Sequence, residues 1–96
     1  MEPIYMSVND IAQFVGDPRT LIIDLRSKVK YNEFHIDGAF NCDKCDIFKF
    51  PLNKYQRIIL YCERGGYSFV VAKELRSRGY NARSVVGGIL TYLSYL

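Results

Sequence analysis

The chain has 96 residues, of which 49% are hydrophobic and 24% charged, and its net charge is +3. This composition is typical of a folded globular protein, and the length fits a single domain over residues 1–96. Because Lys and Arg are interleaved with Asp and Glu, the mild positive charge does not indicate a nucleic-acid partner. The sequence contains no apolar run of about 18 residues and no signal-peptide pattern, so we expect a cytoplasmic protein without membrane contact.

Three cysteines are an odd number, which argues against a closed disulfide framework and favours a reducing compartment. Cys42 and Cys45 have the Cys-x-x-Cys spacing, but a zinc site would need a second such pair or additional histidines. A redox pair would normally begin a helix after a strand, whereas this pair falls in a segment without clear periodicity. We therefore expect two surface thiols without a role, with a redox pair as the alternative, and we predict no metal and no cofactor.

Short apolar runs alternate with helical patterns along the chain, which predicts an α/β fold with a largely parallel sheet. Ser7 is the predicted cap of a first helix whose apolar face comprises Val8, Ile11, Ala12 and Val15. Strands are predicted at 21–25, 39–41, 57–61 and 82–86, with a loop and a helical turn over 42–56. Further helices are predicted over 68–78 and from 87–88 to 96, the latter with Tyr92, Leu93, Tyr95 and Leu96 packing on the sheet or forming a dimer patch.

The segment around Cys62 carries the chemistry. A buried strand ends at Tyr61, so Cys62 is predicted to lie at the carboxyl edge of the sheet, where open α/β folds bind ligands. Gly65 and Gly66 allow the main chain to curl and to direct N–H groups inward, and the following helix adds its positive N-terminal end. This arrangement predicts an anion-binding nest that favours a nucleophilic thiolate, the alternative being a small, inert core cysteine.

Four motifs in order resemble the rhodanese-like family over nearly the whole chain. They are Asp24-Leu25-Arg26, the segment 31–41, the loop 62–68 and Val86-Gly87-Gly88. The resemblance implies a rhodanese-like α/β fold, with a central five-stranded parallel sheet flanked by helices. It also implies that Cys62 is a sulfur-accepting nucleophile.

The implied activity is that of a sulfurtransferase. Cys62 would take sulfane sulfur from a small anionic donor such as thiosulfate, hold it as a persulfide, and pass it to cyanide, a thiol or a protein. The donor would be bound by the remaining loop residues, which are Glu63, Arg64, Gly65, Gly66, Tyr67 and Ser68. The alternative within this family is a non-catalytic binding or regulatory module. A phosphatase is disfavoured because Ser68 stands where a phosphate-binding arginine would be required.

The loop departs from the family pattern in its charges. Glu63 and Tyr67 stand where arginines are common, and Arg64 is the one cation left to steer an anionic donor. We therefore expect weak activity towards thiosulfate. Outside the loop, Asp24 and Arg26 are expected to form a structural ion pair, and His35 is expected to be a hydrogen-bonded structural residue rather than a general base.

Overall fold

A five-stranded parallel sheet forms the centre of the computed structural model, which describes residues 2–94. Its strands are β1 (Tyr5–Met6), β2 (Thr20–Asp24), β3 (Phe40–Asn41), β4 (Arg57–Tyr61) and β5 (Ala82–Val85). They are ordered β1-β5-β4-β2-β3, and every neighbouring pair is parallel. The predicted α/β class and the five-stranded parallel sheet are both confirmed, and β4 lies in the middle of the sheet.

Helices cover both faces of this sheet. They are α1 (Lys28–Glu33), α2 (Gly66–Ser77) and α3 (Gly88–Ser94), with short 3₁₀ helices at Val8–Phe14, Ile47–Lys49 and Leu52–Lys54. Ala72 and Leu75 of α2 pack into the core on one face, whereas Ile11 and Ile89 belong to the core on the other. Among the described residues, no helix is both long and apolar enough to cross a membrane.

The first helix differs from the predicted one in its pitch. Ser7 is its cap, as predicted, and accepts a hydrogen bond from the Asn9 amide at 3.2 Å. The segment is a 3₁₀ helix with about three residues per turn, so residues spaced by three share a face. Val8 and Ile11 are therefore buried, whereas Ala12 and Val15, placed on the same face by an α-helical period, are exposed.

Two elements have no counterpart in the sequence prediction. Helix α1 contains no buried residue, so it lacks the apolar stripe that reveals a helix in a sequence. Strand β1 has only two residues, which is too short for an alternating pattern.

At the other end of the chain, Tyr92 packs against the core as predicted and Leu93 is exposed. Tyr95 and Leu96 lie outside the described residues.

The Asp24–Arg26 ion pair is buried, as predicted for a structural pair. Arg26 Nη2 donates to Asp24 Oδ2 at 2.8 Å, and the Arg26 amide donates to Asp24 Oδ1 at 2.8 Å. The same guanidinium donates to the Phe34 carbonyl, which ties the end of β2 to the end of α1. Burial disfavours the charged guanidinium, but the hydrogen bonds and charge of Asp24 outweigh it, so the pKa of Arg26 lies above its usual range.

Removing one partner of this pair should destabilise the fold strongly. In Arg26→Met the Asp24 carboxylate would stay fully buried without its countercharge, which we expect to lower the free energy of unfolding by about 3–5 kcal/mol. Urea unfolding followed by circular dichroism measures this loss. The matched control is Arg78→Met, because the Arg78–Glu74 pair is more than half exposed on both sides and should change stability by less than about 1 kcal/mol. Equal stability of the two variants would contradict the prediction.

Candidate active site

Cys62 follows β4 directly, and its side chain is 7% exposed. It is the free cysteine of the described residues. Its Sγ accepts hydrogen bonds from the amides of Gly65 at 3.1 Å and Ser68 at 3.3 Å, and its thiol donates to Ser68 Oγ at 3.4 Å. The nest that the sequence predicts is therefore present, and its N–H dipoles favour negative charge on the sulfur.

The loop carbonyls are held from the other side by α3. The amides of Ile89 and Leu90 donate to the carbonyls of Cys62 at 2.9 Å and Glu63 at 3.2 Å. This contact requires glycine at position 88, where φ is +63° and a Cβ atom would lie 2.4 Å from the Cys62 carbonyl oxygen. The chain cannot approach this closely with any larger residue.

The two loop glycines differ in their roles. Gly65 has φ of +100°, and a Cβ there would lie 3.0 Å from the Gly87 nitrogen. Gly66 begins α2 and has no neighbouring atom within 4 Å of an added Cβ. Only the first of the two therefore has the conformational role that the sequence suggests for both.

A second buried hydroxyl, which the sequence analysis missed, supports the site. Ser84 of β5 is 1% exposed and lies 2.7 Å from Ser68 Oγ, measured between the oxygens. Ser68 Oγ also donates to the Gly65 carbonyl at 3.2 Å. A serine hydroxyl has one proton and two acceptor sites. If Ser68 donates its proton to the sulfur, Ser84 must be the donor in the hydrogen bond between the two hydroxyls. When Ser68 donates to the sulfur instead of to the Gly65 carbonyl, that carbonyl still accepts a hydrogen bond from the Phe69 amide at 3.2 Å.

This geometry predicts that both hydroxyls stabilise the Cys62 thiolate. Ser68→Ala removes a direct hydrogen bond to a charged group, commonly about 1.5–3 kcal/mol, so alkylation of Cys62 by iodoacetamide at neutral pH should slow about tenfold or more. Ser84→Ala acts only by polarising Ser68 and should slow it about two- to threefold. Ser84→Thr, which keeps a hydroxyl, is the control.

The double variant tests whether Ser84 acts through Ser68. Adding Ser84→Ala to Ser68→Ala should cause no further loss of alkylation rate. A second loss of the same size would mean that Ser84 affects the thiol by another route.

The charged and aromatic side chains of the loop lie at its rim. Glu63, Arg64 and Tyr67 are exposed, and within residues 2–94 the side chains of Glu63 and Arg64 make no hydrogen bond or ion pair. Their side chains are thus free to meet a ligand, and their roles in binding remain predictions.

Asp24 and His35 do not face the sulfur. Asp24 aligns with Tyr61 in the sheet register, so its side chain lies on the opposite face from Cys62. His35 donates from Nδ1 to the Tyr31 carbonyl at 2.8 Å and stacks on the Tyr31 ring. The hydrogen bond expected of a structural His35 is therefore present. The described part of the chain contains no group of three His, Cys, Asp or Glu side chains that could hold a metal ion.

The expectation of two unpaired surface thiols at positions 42 and 45 is wrong. Cys42 and Cys45 form a disulfide, and Cys42 is buried. Two features of the local backbone bring the two cysteines together. The Cys42 amide donates to the Asp24 carbonyl at 2.8 Å, and Lys44 adopts a left-handed conformation with φ of +53° that returns the chain to Cys42. The Cys-x-x-Cys spacing was the signal that could have found this bond.

A cavity of about 250 Å³ lies beside the disulfide and the first turns of α2. Its lining is mainly apolar and consists of Leu25, Cys42, Cys45, Ile47, Phe48, Tyr67, Val70, Val71, Glu74 and Leu75. Tyr67 connects this cavity to the loop that carries Cys62.

The fold and the site together define a parallel α/β domain with one buried free thiol at the carboxyl edge of its sheet. The model of the rhodanese-like domain matches residues 7–94. The chain therefore belongs to the rhodanese-like domain family, as its four motifs suggest.

Curated relatives carry this domain within longer chains. A tRNA sulfurtransferase of Desulfurococcus amylolyticus is 36% identical over 83 residues, which are 86% of this chain and 16% of the relative. A tRNA sulfurtransferase of Pyrobaculum aerophilum is 33% identical over 67 residues, covering 68% of this chain and 14% of the relative. The chain thus spans about a sixth of the length of these proteins.

Solved structures share the fold. A Staphylococcus saprophyticus protein superposes with a TM-score of 0.75 and 26% identity, covering 96% of this chain and 93% of its own. The rhodanese-like domain of an Anabaena protein gives a TM-score of 0.80 at 23% identity, covering 98% and 76%. Thiosulfate sulfurtransferase from Pseudomonas aeruginosa gives 0.81 at 19% identity, covering 98% of this chain and 18% of that one.

Proposed function

We propose that this domain is a sulfurtransferase that carries sulfane sulfur as a persulfide on Cys62. The observation that carries the proposal is the free Cys62 thiol with two backbone amides directed at its Sγ, at 3.1 and 3.3 Å. An inert core cysteine has no use for such donors, whereas a thiolate and a terminal persulfide both gain from them. The names of the tRNA sulfurtransferase relatives support the same class of reaction.

The proposed reaction has two transfers. The Cys62 thiolate attacks the sulfane sulfur of thiosulfate, the S–S bond breaks, and sulfite leaves with the electron pair. The acceptor, which is cyanide, a thiol or a protein, then attacks the outer sulfur of the persulfide, and the Cys62 thiolate is the leaving group. Gly65 and Ser68 stabilise the sulfur in each state, and Arg64 attracts the anionic donor.

We also propose which kind of molecule accepts the sulfur. Relatives over 30% identical are named for tRNA sulfur transfer, which favours an acceptor in tRNA thiolation over cyanide. This proposal departs from the sequence expectation of no nucleic-acid partner, because the sulfur would pass to tRNA. Because the chain aligns with a small part of these relatives, we propose that it delivers sulfur and that other protein segments bind the RNA.

Mass spectrometry tests the proposal directly. The disulfide form of the protein, incubated with thiosulfate and then separated from it, should gain one sulfur atom on the peptide that contains Cys62. Cys62→Ser should gain none, and cyanide should remove the added sulfur with formation of thiocyanate. A folded wild-type protein that gains no sulfur from thiosulfate or from a persulfide donor would instead support the non-catalytic module.

The charge of Glu63 should weaken the use of thiosulfate. A carboxylate a few ångströms from a dianion costs on the order of 1 kcal/mol in a solvent-rich site, or about fivefold in rate. Glu63→Gln should therefore raise kcat/KM for thiosulfate several-fold, with a smaller gain at high salt because of screening. Arg64→Ala should lower it by the same reasoning.

An uncharged persulfide donor is the control for this electrostatic account. Its kcat/KM should change much less in Glu63→Gln than that of thiosulfate. If Glu63→Gln leaves kcat/KM for thiosulfate unchanged at both low and high salt, Glu63 points away from the donor.

A further inference from the structure

The Cys42–Cys45 disulfide lies in the same row of the sheet as the candidate nucleophile. Asp24 of β2 aligns with Asn41 of β3 and with Tyr61 of β4. The next residues along these strands, Leu25, Cys42 and Cys62, therefore lie side by side, and all three belong to the core cluster that α2 covers. Two strand spacings, about 10 Å, separate the backbones of the two cysteines.

The cavity beside α2 borders both the disulfide and Tyr67, a residue of the loop that carries Cys62. Leu25 and both bonded cysteines line it, together with Tyr67 from the first turn of α2. Cys45 is partly exposed, whereas Cys42 is 3% exposed. A persulfide would extend the Cys62 side chain by about 2.0 Å. Leu25 lies between the two cysteines in the row, so the proposed transfer requires Cys45 and the outer sulfur to meet beside its side chain.

This disulfide has little value as a structural brace. It joins cysteines with a sequence separation of 3, so it closes a very short loop and removes less entropy from the unfolded chain than a disulfide across a long loop. Cys42 is already held by its backbone hydrogen bond to Asp24 and by the core around it. Cys-x-x-Cys pairs commonly take part in thiol–disulfide exchange, and Cys45 is the partly exposed member of this one.

We propose that Cys42 and Cys45, when reduced, remove the sulfane sulfur from Cys62 as hydrosulfide and thereby close the disulfide that the structure contains. The proposal rests on the persulfide proposed for Cys62. It assigns a second activity to the domain, the reduction of sulfane sulfur to hydrosulfide by its own dithiol.

Two displacements complete the step. The Cys45 thiolate, being the more accessible, attacks the outer sulfur of the Cys62 persulfide, and the Cys62 thiolate leaves with the electron pair. The Cys42 thiolate then attacks Cys45 Sγ, hydrosulfide leaves, and the Cys42–Cys45 bond forms. The sulfane sulfur is reduced by two electrons, both thiols are oxidised, and their protons pass to Cys62 and to hydrosulfide. An external dithiol reductant restores the pair.

A single-turnover experiment tests the proposal. The protein is reduced with dithiothreitol, freed of reductant without air, and mixed with one equivalent of thiosulfate. Hydrosulfide is measured, and peptides are analysed by mass spectrometry. Reduced wild type should release about one hydrosulfide per chain, keep no sulfur on Cys62 and form the Cys42–Cys45 disulfide, with a rate constant independent of protein concentration.

Matched controls separate the steps. The disulfide form of the same chain should hold the added sulfur on Cys62 and release no hydrosulfide. Reduced Cys45→Ser should do the same, whereas reduced Cys42→Ser should collect the sulfur on Cys45. Reduced Cys62→Ser should release none, because the sulfur must arrive through Cys62.

The two proposals fail in different ways. Reduced wild type that retains its Cys62 persulfide as long as Cys45→Ser does would overturn the role of the dithiol and leave the sulfurtransferase proposal intact. A disulfide form that acquires no sulfur from thiosulfate or from a persulfide donor would overturn the sulfurtransferase proposal and this inference with it.

Discussion

The backbone contact between the turn before α3 and the loop after β4 governs the geometry of the site. The first amides of α3 bind the carbonyls of Cys62 and Glu63, and Gly88 allows the two chains to meet. With these carbonyls directed towards α3, the amides of Gly65 and Ser68 turn towards the sulfur. The nest therefore depends on two segments that are distant in sequence and that the β4–β5 pairing brings together.

The sheet separates the buried Asp24–Arg26 ion pair from the Cys62 thiol. On one face, the buried Asp24–Arg26 pair fastens β2 to the segment after α1. The other face carries the next residue of each strand, which is Leu25, Cys42 or Cys62. Because successive side chains of a strand point to opposite faces, charges needed for stability can lie one residue from the thiol without facing it.

The sequence predicts the sheet well because β2 and β4, its two longest strands, contain apolar runs that are buried on both faces. Strand β4 is predicted at its observed bounds, and β2 and β5 differ by one residue or less at each end. The position of Cys62 follows from that strand end. Ser84 could not be found in this way, since a lone serine in a strand gives no hint that a helix N-terminus meets it from 16 residues earlier. The Cys-x-x-Cys spacing allows a bond between Cys42 and Cys45, but the left-handed backbone of Lys44, which returns the chain to Cys42, gives no signal in the sequence.

Stabilisation of the sulfur and attraction of the donor have separate physical origins. The sulfur is surrounded by neutral dipoles, two amides and the Ser68 hydroxyl, in a largely buried position. Such short-range interactions are little screened by salt. The proposed attraction of an anionic donor would instead depend on Glu63 and Arg64, whose exposed charges are screened by salt. Charges at the rim can therefore change without disturbing the nest, so one site can serve different donors while its sulfur chemistry stays the same.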